Sequence, residues 1–275
     1  MRVAIVGLGL MGGSFGLSLK KSIPEVYVLG FDHSKRHQKE ALTLGLVDEI
    51  VDFEGLKKAD VIILAIPVEG VIQSLKNLID IDIKTTIIDL GSTKAKIVKN
   101  TPTEIRTNLV AAHPMAGKEK FGPTAACDDL YQGQVVVLCD THNSGKKQLE
   151  TAVMIFEALK MQIVYMDAKE HDLHAAYISH LPHAISFALA NSVMKQEDPR
   201  SILALAAGGF RDMSRIAKSS PHMWGDIFQQ NSENLLVTIE GFEKEITYAK
   251  MLIKEKKWED LEAWMHNANT LHKIL

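Results

Sequence analysis

An α/β sheet domain followed by an all-α domain is the architecture that the residue pattern implies, and three observations carry it. Short apolar runs, many of them β-branched, alternate with amphipathic stretches as far as Met166, which specifies a mainly parallel sheet covered on both faces. From about Ala168 the periodicity is helical only. A glycine-rich turn joins the first strand to the first helix. The two domains are expected over residues 1–167 and 168–275.

The elements justify this in order. Val3-Ala4-Ile5-Val6 is a buried strand by its apolar, mostly β-branched composition. Gly7-Leu8-Gly9-Leu10-Met11-Gly12 follows at once, and Gly13 to Lys20 continues as a helix. The next extended run, Val26 to Phe31, stops at Asp32, twenty positions past the last of these glycines. Strand, G-x-G-x-x-G, helix and terminal acid are the Rossmann-type dinucleotide signature. Gly7 permits the tight turn, Gly9 lets a pyrophosphate approach the backbone, and Gly12 allows close helix–strand contact. Leu10 and Met11 complete the turn and are expected against the cofactor. Amides at the helix start and the helix dipole face the phosphates. Asp32 can accept from both adenosine ribose hydroxyls and would repel a 2′-phosphate, which favours NAD over NADP. Lys35 and Arg36 weaken that preference, because a nearby cation could hold such a phosphate.

Lys35 to Leu44 reads as a helix ended by Gly45. Val61 to Ile66 is a strand closed by Pro67, with Ile66 and Pro67 expected on the cofactor, and Glu69 to Leu78 is the next helix. Thr85 to Leu90 is a strand that runs into Gly91-Ser92-Thr93-Lys94 and a helix to about Asn100. Leu109 to Ala112 is a strand ending at His113-Pro114. Gln134 to Cys139 and Gln162 to Met166 complete the sheet, with a helix from Gly145 to Leu159 between them. Ligands of such sheets bind beyond the carboxyl ends of the strands, so Ser92 and His113 belong on the cofactor side. Ser92 has a second reading as the N-cap of the Thr93–Asn100 helix. Lys118 to Gln132 reads as a loop.

In the second domain, Leu173, Ala176, Tyr177, His180, Ala184, Phe187, Ala188 and Asn191 recur at helical spacing along Ala168–Lys195, with a kink expected at Pro182. Pro199, Gly208-Gly209-Phe210, Pro221 and Gly241 divide the rest into about four helices, the last two at Phe242–Lys256 and Trp258–Leu271. The apolar stripes exceed what such a domain can bury in itself, so a homodimer through the helical domain is expected. His180 and His183 share one helical face, as do His171 and His174, but no carboxylates stand at ligand spacing and there is no H-E-x-x-H, so no metal is expected. His180 also reads as a core or capping histidine. Arg211 or Arg215, after the Gly-Gly turn, faces the cleft between the domains.

Bulk properties narrow the field further. A formal net charge of −3, with 46% hydrophobic residues, makes no electrostatic case for nucleic acid or membrane partners. Cys127 and Cys139 have neither metal nor disulfide spacing. The chain enters its first strand directly, without a signal segment, and a cytoplasmic location is expected.

Gly7–Gly12 with Asp32, Gly91-Ser92-Thr93-Lys94, His113-Pro114-Met115-Ala116-Gly117, Ser179-His180-Leu181-Pro182-His183 and Gly208 to Arg215 occur in the order found in prephenate dehydrogenases, and the chain resembles that family over its whole length. The resemblance implies NAD-dependent oxidative decarboxylation of prephenate, or of arogenate, in a dimer joined through the helical domain. It implies that Arg215 binds a substrate carboxylate and that His183 binds substrate at the side chain. Lys118, where relatives often carry a small hydroxyl residue, is counted among the substrate contacts.

The chemistry asks for these residue types. As the ring hydroxyl of prephenate becomes carbonyl-like, hydride leaves, and loss of CO₂ makes the ring aromatic. A neutral imidazole near its ordinary pKa of about 6.5 can take the hydroxyl proton, an effect of ~10²–10⁴ in rate. His113 is assigned that role, with Ser92 bonded to the same hydroxyl or to the imidazole. A planar guanidinium pairs bidentately with a carboxylate. The rival readings are a β-hydroxyacid dehydrogenase-like enzyme, disfavoured by the missing Gly-x-x-x-Lys in Asp167–Lys195, and an NAD-binding redox sensor without turnover.

Overall fold

The computed structural model describes residues 1–274. Eight strands form one sheet: β1 (Arg2–Val6), β2 (Tyr27–Phe31), β3 (Glu49–Ile50), β4 (Val61–Leu64), β5 (Thr86–Asp89), β6 (Leu109–Pro114), β7 (Val135–Cys139) and β8 (Gln162–Met166). Their order is β3-β2-β1-β4-β5-β6-β7-β8. β1 to β6 are mutually parallel, β7 runs antiparallel to β6, and β8 is parallel to β7. The reversal sits beside the site, because His113 pairs with Val137 across it.

The helices between strands are α1 (Leu10–Ser22), α2 (Lys35–Thr43), α3 (Phe53–Leu56), α4 (Val68–Lys76), α5 (Ala95–Asn100) and α6 (Lys146–Ala158). Apolar strands with a period of two supply both faces of the sheet. Val3, Ile5, Val61, Ile63 and Val110 join one core with Phe15, Leu19 and Phe156. Ala4, Val6, Ile62, Leu64 and Leu109 join the other with Val71 and Leu75. A continuous apolar run is therefore what each strand needs, since every residue faces some helix.

Beyond the sheet come α7 (Ala168–Ala175), α8 (Leu181–Met194), α9 (Pro199–Ala204), α10 (Gly208–Ser214), α11 (Pro221–Gln230), α12 (Ser232–Lys254) and α13 (Trp258–Asn269). Two features depart from the sequence reading. The expected kink at Pro182 is a π-turn, Ala176–His180, after which Pro182 lies in the first turn of α8. Proline lacks an N–H and its ring collides with the carbonyl four residues back, and a widened turn relieves both. Gly241 divides nothing: α12 runs through it for 23 residues. One glycine costs a helix only about 1 kcal/mol, and here the tertiary context outweighs it. Among the described residues, no helix is long and apolar enough to cross a membrane.

Candidate active site

The glycine turn has the geometry its sequence implies. Gly7 has φ +91°, and a Cβ there would come within 2.5 Å of the Ala65 carbonyl oxygen. A Cβ on Gly12 would lie 1.9 Å from the Gly7 carbonyl oxygen, so α1 can sit this close to β1 only with glycine. Gly9, by contrast, faces open space, with no protein atom within 4 Å of an added Cβ. An open approach beside the N-terminus of α1 fits a pyrophosphate. Leu10 and Met11 form the first residues of that helix. Ile66 and Pro67 follow β4 at the neighbouring strand end, where Ile66 packs within reach of Gly7.

Asp32 is buried at the end of β2 and organises the turn from below. Its Oδ2 accepts from the Leu8 amide at 2.9 Å and its Oδ1 from the Ser34 amide at 2.8 Å. The two cations near the strand end both bond within α2. Arg36 pairs with Glu40 at 2.7 Å, and Lys35 donates to Gln38 at 3.2 Å. The Asp32 carboxylate at the strand end favours NAD.

Ser92 and His113 come from adjacent strands, past the end of β5 and within the last turn of β6. Ser92 is not the N-cap of the following helix. α5 begins at Ala95, and the free amides of Lys94 and Ala95 are bound by Asp172 from α7, at 2.7 and 2.9 Å. Under the same strand ends lies a fully buried ion pair. Lys94 Nζ meets the Asp89 carboxylate and donates to the Ala112 carbonyl at 2.7 Å, one residue before His113.

The His113 imidazole does not have the ordinary pKa assigned to it from sequence. Burial holds it well below 6.5, reinforced by His171, Lys94 and His180 nearby. Desolvation disfavours the charged ring, so the base is neutral without effort at physiological pH.

In the helical domain, His183 on α8 stacks on Trp224 of α11, ring centres 3.5 Å apart and planes 21° from parallel. Its Nδ1 donates to the Ser179 carbonyl at 2.9 Å, leaving Nε2 free. Burial lowers its pKa, opposed by the Ser179 carbonyl and by Glu119. Arg215, in the turn after α10, pairs with Glu119 of the loop that follows β6. Glu119 and Arg215 both act on the charge of His183, so these three gather at one place. Arg211 is occupied elsewhere, its Nε donating to the Ala206 carbonyl at 3.1 Å. Lys118 is exposed and turned to Cys127 Sγ at 3.1 Å and Asp129 at 3.8 Å. It is not drawn in with His183 and Arg215. His180 is an interior histidine bonded to Asn231 at 3.1 Å, its pKa lowered by burial to about 4.

Sequence reasoning missed His171, Asp172, Glu119 and Trp224. The His171-Asp172 dipeptide was visible, but helical spacing paired His171 with His174, whereas its partner is 58 residues away in β6. Among the described residues, no group of three or more metal-binding side chains exists.

Comparison with known proteins agrees with this arrangement. Residues 15–165 match the family model described as prephenate dehydrogenase, nucleotide-binding domain, and residues 167–267 match the prephenate dehydrogenase dimerization domain. The prephenate dehydrogenase of Bacillus subtilis is 33% identical over 97% of this chain and 74% of its own. The cyclohexadienyl dehydrogenase of Zymomonas mobilis is 32% identical over 87% of this chain and 84% of its own. The crystal structure of the Aquifex aeolicus prephenate dehydrogenase in complex with hydroxyphenyl propionate and NAD+ superposes with a TM-score of 0.93. It is 34% identical, with 99% of this chain and 97% of that one covered. With two family domains spanning nearly the whole chain, a shared fold and a nucleotide cradle of the right form, the chain belongs to the prephenate dehydrogenase family.

Proposed function

We propose that this enzyme carries out the NAD-dependent oxidative decarboxylation of prephenate to 4-hydroxyphenylpyruvate, with His113 as the base. The observation that carries the reading is a half-buried imidazole, held neutral, at the same carboxyl edge of the sheet as the glycine cradle. NAD, when bound, supplies the hydride acceptor. His113 takes the proton of the ring hydroxyl, and Ser92, on the neighbouring strand end, donates to or accepts from the same oxygen. Arg215, an exposed guanidinium, exchanges Glu119 for a substrate carboxylate in a bidentate pairing. His183, held flat by Trp224, offers Nε2 to the substrate side chain. Lys118 reaches the same region only if its loop turns it away from Cys127.

A second reading, arogenate as substrate, is favoured by Glu119, whose carboxylate would meet an ammonium where prephenate has a keto group. Absorbance of NADH formed from prephenate and NAD tests the proposal, repeated with arogenate and with NADP. A rate with prephenate and NAD is expected; NAD binding without turnover of either substrate would overturn it.

The enzyme works as a homodimer joined through its helical domain, which is the second part of this reading. Of the fourteen residues of α8, only Ser186 is buried within one chain, despite an apolar sequence. Leu236, Val237 and Ile246 on α12 are likewise exposed. A cytoplasmic location is the third part, supported by two cysteines that are both free.

A further inference from the structure

The hydrogen bonding of His113 does not end at its own ring. His113 Nδ1 stands 2.8 Å from Nε2 of His171, and His171 Nδ1 stands 2.8 Å from Oδ1 of Asp172. The direction of each proton follows from the far end. The Asp172 carboxylate can only accept, and it already takes the Lys94 amide on Oδ1 and the Ala95 amide on Oδ2. His171 Nδ1 must therefore carry the proton toward Asp172. In a neutral ring, Nε2 of His171 is then a bare acceptor, and the proton between the two rings belongs to His113 Nδ1. That leaves His113 Nε2 without a proton and able to accept one.

We infer that His171 and Asp172 are positioning residues for the reaction, holding His113 in the single tautomer whose Nε2 can accept the substrate hydroxyl proton. The inference rests on the reading of His113 as base given above. His171 and Asp172 are 2% and 3% exposed and rigidly placed. Asn231 fixes the segment further by donating to the Asp172 backbone carbonyl at 2.6 Å. His113 comes from the sheet domain, whereas His171 and Asp172 come from the first helix of the other domain. Asp172 binds the turn after Ser92 with the same carboxylate that orients His171. One side chain of the helical domain thus sets both the proposed base and the strand end carrying its hydroxyl neighbour.

The test compares wild type with His171→Leu, His171→Gln and His113→Asn, using prephenate and NAD at saturation. His171→Leu removes the acceptor, and kcat is expected to fall by about 10²-fold with KM for prephenate unchanged. His171→Gln keeps an oxygen near the Nε2 position and is expected to restore most of kcat, which a purely structural role would not predict. Two-bond ¹H–¹⁵N correlation of ¹⁵N-histidine wild type gives the tautomer directly, the His113 signal being the one lost in His113→Asn. Nδ1–H is the expected form. A His113 found as Nε2–H overturns the inference, as does a wild-type kcat in His171→Leu when His113→Asn is inactive. An active His113→Asn overturns the base assignment itself and the inference with it. Should His171→Leu fail to fold, the wild-type tautomer decides.

Discussion

Burial, two neighbouring imidazoles and the Lys94 ammonium all push protonation of His113 in one direction, and the sign has a kinetic consequence. The neutral ring is the active form, and its folded pKa lies well below the unfolded 6.5, so acid must go further before it stops the base. Expected is a kcat that stays level from neutrality down through pH 6.5 and falls only below it; an acid limb centred at or above that value in a kcat–pH profile would contradict the assignment. His113→Asn should lose about 10²–10⁴ in kcat, whereas Arg215→Gln should chiefly raise KM for prephenate, both read from initial rates. Lys94 and Asp89 work beneath these residues and are both fully buried. Lys94→Met strands a buried carboxylate and should cost about 3–5 kcal/mol in urea unfolding. Pairing it with Asp89→Asn should recover much of the loss, since the desolvation penalty then disappears on both sides.

At the scale of elements, the turn between β1 and α1 separates two kinds of glycine. A methyl on Gly12 would strike backbone, so Gly12→Ala should lower the melting temperature as well as NAD affinity. A methyl on Gly9 meets nothing in the protein, so Gly9→Ala should melt normally and still bind NAD weakly, because it intrudes only on the pyrophosphate. Calorimetric melting beside NAD titration distinguishes the two. This turn was legible from sequence because its strand, glycines, helix and terminal acid follow one another along the chain, although it also packs on Ala65 and binds Tyr131. The continuous apolar strands were legible for the same reason. The antiparallel sense of β7 was not: a strand buried on both faces reads the same in either direction. Nor was the continuity of α12 through Gly241, which tertiary packing decides against local propensity.

For the whole molecule, acid stability follows from its interior histidines. His180 titrates near 4 when folded and near 6.5 when unfolded, so between those values the unfolded chain binds the extra proton. Stability is therefore full above pH 6.5 and falls as pH drops toward 4, on the order of 3 kcal/mol from this group alone. Urea midpoints across that range should show the slope, and His180→Asn should flatten it. Sedimentation should give about twice 30.5 kDa, with Leu236→Glu shifting the mass toward the monomer. What the sequence could not disclose at this scale is the seam between domains. Asp172 capping α5, and His171 meeting His113, join positions 58 to 78 residues apart that no local pattern links.

The π-turn at Ala176–His180 acts on the phase of everything beyond it. In an unbroken α-helix the twelve steps from His171 to His183 sum to about 1200°, which points the two rings roughly 120° apart. A π-turn absorbs one residue, leaving eleven effective steps, about 1100°, and the two rings then point within roughly 20° of each other. The histidine that meets His113 and the one stacked on Trp224 are thereby aligned along one edge of a helical rod. Excising the exposed Ile178 should let the rod rewind as plain α-helix and swing His183 aside, abolishing turnover while the distant glycine cradle still takes up NAD.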